Sequence, residues 1–188
     1  MQQTATQEAG EHEMGERGTG VQATGRQRTG EPGTAGRVGF TPDEVRTGEP
    51  TRAARLKWVV VVDESMPAGR AVNAAVCVSA ATAAGVDGLL GPDAVDATGS
   101  AHPGLPWAGC AVLAAPADRL AAIRARAAAS PGVFVADMPV AAQATRVYDE
   151  YLDAVAGAPA DALAYHAVSI VGPRNRVDKI VGRLPLLA

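Results

Sequence analysis

Residues 57–63 (K-W-V-V-V-V-D) form a β-branched apolar run with no polar interruption. A run without alternation reads as a central strand covered on both faces. E-S-M-P-A-G then punctuates the chain, and residues 70–84 form an alanine-rich stretch that ends at Gly85, which predicts a helix. The same alternation of signals repeats downstream. Residues 109–115 (G-C-A-V-L-A-A) predict a second buried strand. Residues 116–130 predict a helix with Leu120, Ile123 and Ala127 inward and Arg119, Arg124 and Arg126 on a solvated face. Pro131-Gly132 marks a turn before a third strand at 133–137, V-F-V-A-D. Val140, Ala144, Val147, Tyr151, Leu152 and Val155 share one face of a single helix expected over 140–156, which Gly157 and Pro159 stop. A fourth strand at 162–171 and a short helix with Val177, Ile180 and Val181 inward complete the pattern. The fold class expected is α/β, a small four-stranded mixed sheet with helices on both faces.

Two stretches stand outside this pattern. Residues 86–107 are dense in Gly, Pro and Asp and predict a long loop, a feature often tied to function in compact domains. The first fifty residues hold ten of the 21 glycines and a single aromatic residue, Phe40. So little apolar surface does not offset an ordering cost of roughly 1–2 kcal/mol per residue, and residues 1–50 read as a disordered tail ahead of a folded domain at 51–188. Within the tail, T-P-D-E at 41–44 resembles a helix start, with Thr41 as cap and Pro42 first, that the following T-G-E-P ends at once.

Charge and cysteine usage narrow the function classes. The domain carries twelve acidic and twelve basic side chains, so it lacks the basic excess typical of nucleic-acid binders. tRNA is therefore not a favoured partner. Cys77 and Cys110 lie in apolar surroundings without metal-ligand spacing and read as buried, reduced thiols. There is no apolar leader and no stretch of about 18 apolar residues, so a cytoplasmic protein without membrane contact is expected. Three histidines and no spaced Cys/His/carboxylate set predict no metal, and no cofactor motif is present. Ser65, Ser79 and Ser169 have no evident base.

The candidate chemistry lies where strands end. Asp63 and Asp137 close the first and third strands, and ligands of open α/β sheets sit at carboxyl ends. If those strands are parallel neighbours, both carboxylates share a rim with Arg70 and Asn73 at the helix start. That set would bind a small polar or nucleotide-like ligand, or position a water. The bland alternative is that each Asp caps its own turn. Asn73 is a mediocre helix former that asks for a polar partner. His166 lies on a strand face with Val168 and Ile170, where a satisfied core histidine is the commoner outcome. His102, in A-H-P-G of the long loop, is a candidate for the mouth of a site.

Two segments together resemble the type II peptidyl-tRNA hydrolases. K-W-V-V-V-V-D-E-S-M-P-A-G-R-A-V-N-A-A is similar to that family's first strand, Met-containing loop and Ala-rich helix. I-V-G-P-R-N-R-V-D-K-I-V-G-R-L-P-L-L resembles its last strand, Gly-Pro turn and final helix. A closer likeness is to an uncharacterised bacterial family sharing that fold, with an extra helix before the last strand. The resemblance implies a type II peptidyl-tRNA hydrolase-like domain over about 55–188. Arg70 stands where the hydrolases place lysine, Asn73 lies one position from their glutamine, and only Asp137 has a counterpart in their catalytic set. Arginine does not titrate as lysine does. The first expectation is thus a ligand-binding domain of this fold. The alternatives are an ester or amide hydrolase using Asp137 to orient water with Arg70 stabilising charge, and a non-catalytic homodimeric module.

Overall fold

The computed structural model describes residues 37–188, so most of the expected tail lies outside the described residues. Strand β1 (Leu56–Asp63) leads to helix α1 (Ala68–Gly85), and a two-stranded hairpin follows, β2 (Ala94–Val95) with β3 (Ala101–His102). Then come β4 (Ala111–Ala115), α2 (Ala117–Ala128), β5 (Phe134–Pro139), α3 (Ala141–Ala144), α4 (Tyr148–Ala156), β6 (Tyr165–Pro173) and α5 (Arg174–Val181). The protein is α/β, built on a four-stranded sheet of order β4-β1-β6-β5. β1 runs parallel to β4, while β6 is antiparallel to both β1 and β5. The sheet is mixed, and β6 separates β1 from β5.

Strand alternation sorts the core into two layers. Trp58, Val60 and Val62 of β1 pack with Ala71, Ala74 and Val78 of α1 on one face. Val59 and Val61 pack on the other with Leu120, Ile123 and Ala127 of α2 and Val177 and Ile180 of α5. The uninterrupted apolar run of β1 is thus explained by cover on both sides.

One buried polar chain crosses the α1 layer. Trp58 Nε1–H donates to Ser169 Oγ at 2.8 Å, Ser169 and Thr82 hydroxyls lie 2.7 Å apart, and Thr82 donates to the Val78 carbonyl at 2.7 Å. Indole N–H only donates and a carbonyl only accepts, so Ser169 must donate to Thr82. Each link is satisfied, which is why Ser169 and Thr82 sit in the core without a base or a catalytic partner.

Four expectations change. The packed chain begins before residue 51: Phe40 is only 5% exposed and packs against Trp107, with ring centroids 4.8 Å apart and planes inclined at 59°. The helix expected over 140–156 is two, because Thr145 and Val147 take extended backbone angles. Thr145 turns its hydroxyl back to the Ala141 carbonyl at 3.0 Å, and neither β-branched residue favours continuing the helix. None of the residues of α4 is buried, so its apolar stripe does not enter the core. Cys77 and Cys110 are exposed, Cys77 because α1 is apolar on its outer side as well as its inner one.

Candidate functional site

The carboxyl ends of β1, β4 and β5 and the amino end of β6 share one rim of the sheet, and α1 starts there. Pro67 caps α1 without a side-chain hydrogen bond, and no acidic residue stands in the first turn. Those first-turn N–H groups are free of a built-in carboxylate, which leaves the positive end of the helix open to an anion.

Arg70 is held at this helix start. Its Nε donates to Gln143 Oε1 at 2.7 Å, and one terminal nitrogen lies 3.5 Å from His166 Nε2. Gln143 Nε2 donates to Asn73 Oδ1 and to the Arg70 carbonyl, each at 3.0 Å. The short helix α3 therefore clamps the first turn of α1 through one amide. Gln143 escaped the sequence reading because a single long helix would have put it among solvated positions. Among the described residues no carboxylate lies within ion-pair distance of Arg70.

His166 completes the cluster from β6. It is 7% exposed, and its Nδ1 has no hydrogen-bond partner. Arg70 can only donate, so Nε2 accepts and Nδ1 carries the proton without an acceptor. Burial, and then the positive charge of Arg70, lower the His166 pKa, while Asp63 acts in the opposite direction. The ring is neutral at pH 7. The β1–β6 register runs to Val62 opposite Ala167, so Asp63 and His166 stand one position further along. Asp63 itself is committed locally, accepting from the Ser65 N–H at 2.9 Å and the Ser65 hydroxyl at 2.7 Å.

The structure thus brings Arg70, Asn73 and His166 together with Gln143, and sets Asp63 at their edge. Asp137 lies elsewhere. β6 intervenes between β1 and β5, so the two aspartates are not on neighbouring strands. The Asp137 carboxylate meets Arg124 of α2 at 2.9 Å, on the face opposite α1. Arg124 is accordingly an inward partner rather than part of a solvated face, and Arg126 likewise donates to the Ile180 carbonyl at 2.7 Å. His102 sits on the β2–β3 hairpin, 3.6 Å from Asp96, and is exposed. Among the described residues no group of three His, Cys, Asp or Glu is placed to hold a metal ion. No described helix is long and apolar enough to cross a membrane.

Atu0240, a protein of unknown function from Agrobacterium tumefaciens strain C58, superposes with a TM-score of 0.65 at 18% identity, covering 71% of this chain and 98% of its own. At that identity the likeness shows the fold. No curated protein matches the chain in sequence. The model of the DUF2000 family, described as a protein of unknown function, matches residues 56–188, and this chain belongs to that family.

Proposed function

We propose that this protein is a small-ligand-binding domain with a type II peptidyl-tRNA hydrolase-like fold, taking an anionic, nucleotide-like ligand at the start of α1. The observation that supports it best is Arg70: a guanidinium fixed by Gln143, beside a neutral buried histidine, with no carboxylate among the described residues in ion-pair distance. Fixing a cation costs side-chain entropy, against which the free protein sets only hydrogen bonds to neutral groups, Gln143 and His166. A phosphate or carboxylate would recover that cost, because a rigid guanidinium and open helix N–H groups bind it with charge-assisted hydrogen bonds. Asn73 would serve as an indirect support, through Gln143. The hydrolase alternative needs Asp137 and Arg70 on one water. With the Asp137 carboxylate turned to Arg124, the geometry gives that pairing less support.

Titration calorimetry with AMP, wild type beside Arg70→Ala and Gln143→Ala, tests the reading. The expected outcome is saturable binding that Arg70→Ala abolishes and Gln143→Ala weakens about five- to tenfold, roughly 1–1.4 kcal/mol. Binding indifferent to Arg70, or none at millimolar AMP and pyrophosphate, would sink it. Turnover of N-blocked aminoacyl-tRNA by the same wild-type protein would instead favour the hydrolase.

A further inference from the structure

We propose a second ligand site at the open edge of β5, separate from the Arg70 cluster, for a planar aromatic molecule that carries an anionic group. A cavity of about 650 Å³ lies there between α1, β5 and the α3–α4 connection. That volume falls within the roughly 300–1,000 Å³ of small-molecule sites. None of the residues lining it belongs to the Arg70 cluster, so the two sites share no side chain.

The lining specifies the ligand. Val78 and Met138 supply buried apolar surface. Tyr148 and Tyr151 form one wall, their rings 5.4 Å apart and inclined at 61°. Tyr148 is 73% exposed, so its ring offers a large aromatic surface beyond the contact with Tyr151. A planar ring laid against this wall extends the edge-on pair and covers that surface.

Two charged residues line the cavity, Asp137 and Arg146. The Asp137 charge is already matched by Arg124 at 2.9 Å. Arg146 makes no ion pair or side-chain hydrogen bond among the described residues. The acidic Asp149 and Glu150, in the first turn of α4, do not line the cavity. The unmatched charge at the mouth is therefore positive, and the group it selects is a carboxylate, sulfonate or phosphate. Among the described residues lining the cavity, a cationic ligand finds no unmatched counter-charge.

The helix break gives this cavity its shape. A continuous helix over 140–156 would carry Arg146 and Tyr148 around the axis by about 100° per residue, scattering them over different faces. Extended backbone at Thr145 and Val147 instead sets Arg146 and Tyr148 beside the same opening.

Fluorescence titration of the full chain with anilinonaphthalene sulfonate, a planar aromatic anion, tests the proposal. Wild type should bind one equivalent saturably. Arg146→Glu and Tyr148→Ala, both at exposed positions, should each weaken binding about tenfold with the circular dichroism spectrum unchanged. Val76→Glu, in the apolar groove beside Trp58 that shares only Ala80 with this cavity, should leave it unaltered. The neutral analogue, phenylnaphthylamine, should bind about tenfold more weakly than the sulfonate. Affinity insensitive to Arg146 and Tyr148, loss of binding in Val76→Glu, or equal binding of the neutral analogue would each overturn it.

Discussion

His166 shows how one buried side chain can read out both a site and the stability of the fold. Its ring is nearly inaccessible, lies against Arg70, and has a nitrogen without a partner. Burial and Arg70 together lower its pKa below the ordinary value of about 6.5. The unfolded chain therefore binds the proton more readily than the folded one. Stability is complete above about pH 6.5 and is lost as pH falls toward the lower folded value. Denaturant midpoints at pH 7.5 and 5.5 should separate more for wild type than for His166→Gln; equal separations would refute the assignment. His102 and its neighbour Asp96 are exposed and unchanged in both proteins, so they cancel. Ser169 makes the complementary case. Removing its hydroxyl strands the Trp58 N–H in the core and takes the donor from Thr82. Ser169→Ala should cost about 1–3 kcal/mol in urea unfolding, and a loss under about 0.5 kcal/mol would mean the chain of hydroxyls is not a stabilising feature.

At the scale of elements, what the sequence made legible follows its apolar runs. β1, α2 and α5 are where periodicity puts them, and Leu120, Ile123, Ala127, Val177, Ile180 and Val181 are buried as their spacing requires. Periodicity failed where an apolar stripe had no layer to enter. Val147 and Leu152 satisfy a helical stripe, yet α4 lies beyond the sheet edge and leaves them exposed. α1 stands where the sequence puts a helix, but being apolar nearly all round it gave no inward face, and only Ala71, Ala74, Val78 and Thr82 are buried. Its outer Val72 and Val76 remain 58% and 60% exposed. The candidate site was half legible for a related reason. Arg70 and Asn73 are one helical turn apart and share a face whatever the topology. The placement of Asp63 and Asp137 depended on strand order, which no local pattern encodes. β6 arrives last in the chain yet inserts between them.

The whole molecule is closed by segments that composition would discard. At one edge, residues 184–188 cover β4, with the Ala114 N–H donating to the Pro185 carbonyl and the Leu187 N–H to the Val112 carbonyl, each at 3.0 Å. Near the start of the described chain, the Phe40 N–H donates to the Asp87 carbonyl at 2.8 Å, and its ring packs on Trp107. Trp107 in turn donates to the Gly88 carbonyl at 2.9 Å, so this short segment fixes both ends of the long 86–107 loop. Arg55 ties it to β1, donating to the Gly39 carbonyl at 2.8 Å and to Glu44 at 2.7 Å. Hydrogen bonding to Arg55 holds the Glu44 carboxyl at about 2, so the tie persists into acid. Glycine-rich composition around Phe40 hides a single anchoring ring, and one buried aromatic side chain is worth about 3–5 kcal/mol when truncated to alanine. A chain spanning 37–188 should therefore unfold at a higher urea midpoint than one spanning 51–188. Phe40→Ala in the full-length protein should reproduce most of that loss. If the two chains share a midpoint, the segment rides on the fold without supporting it. If truncation destabilises but Phe40→Ala does not, the Arg55–Glu44 tie rather than the aromatic anchor carries the stability, and Arg55→Ala should then show it.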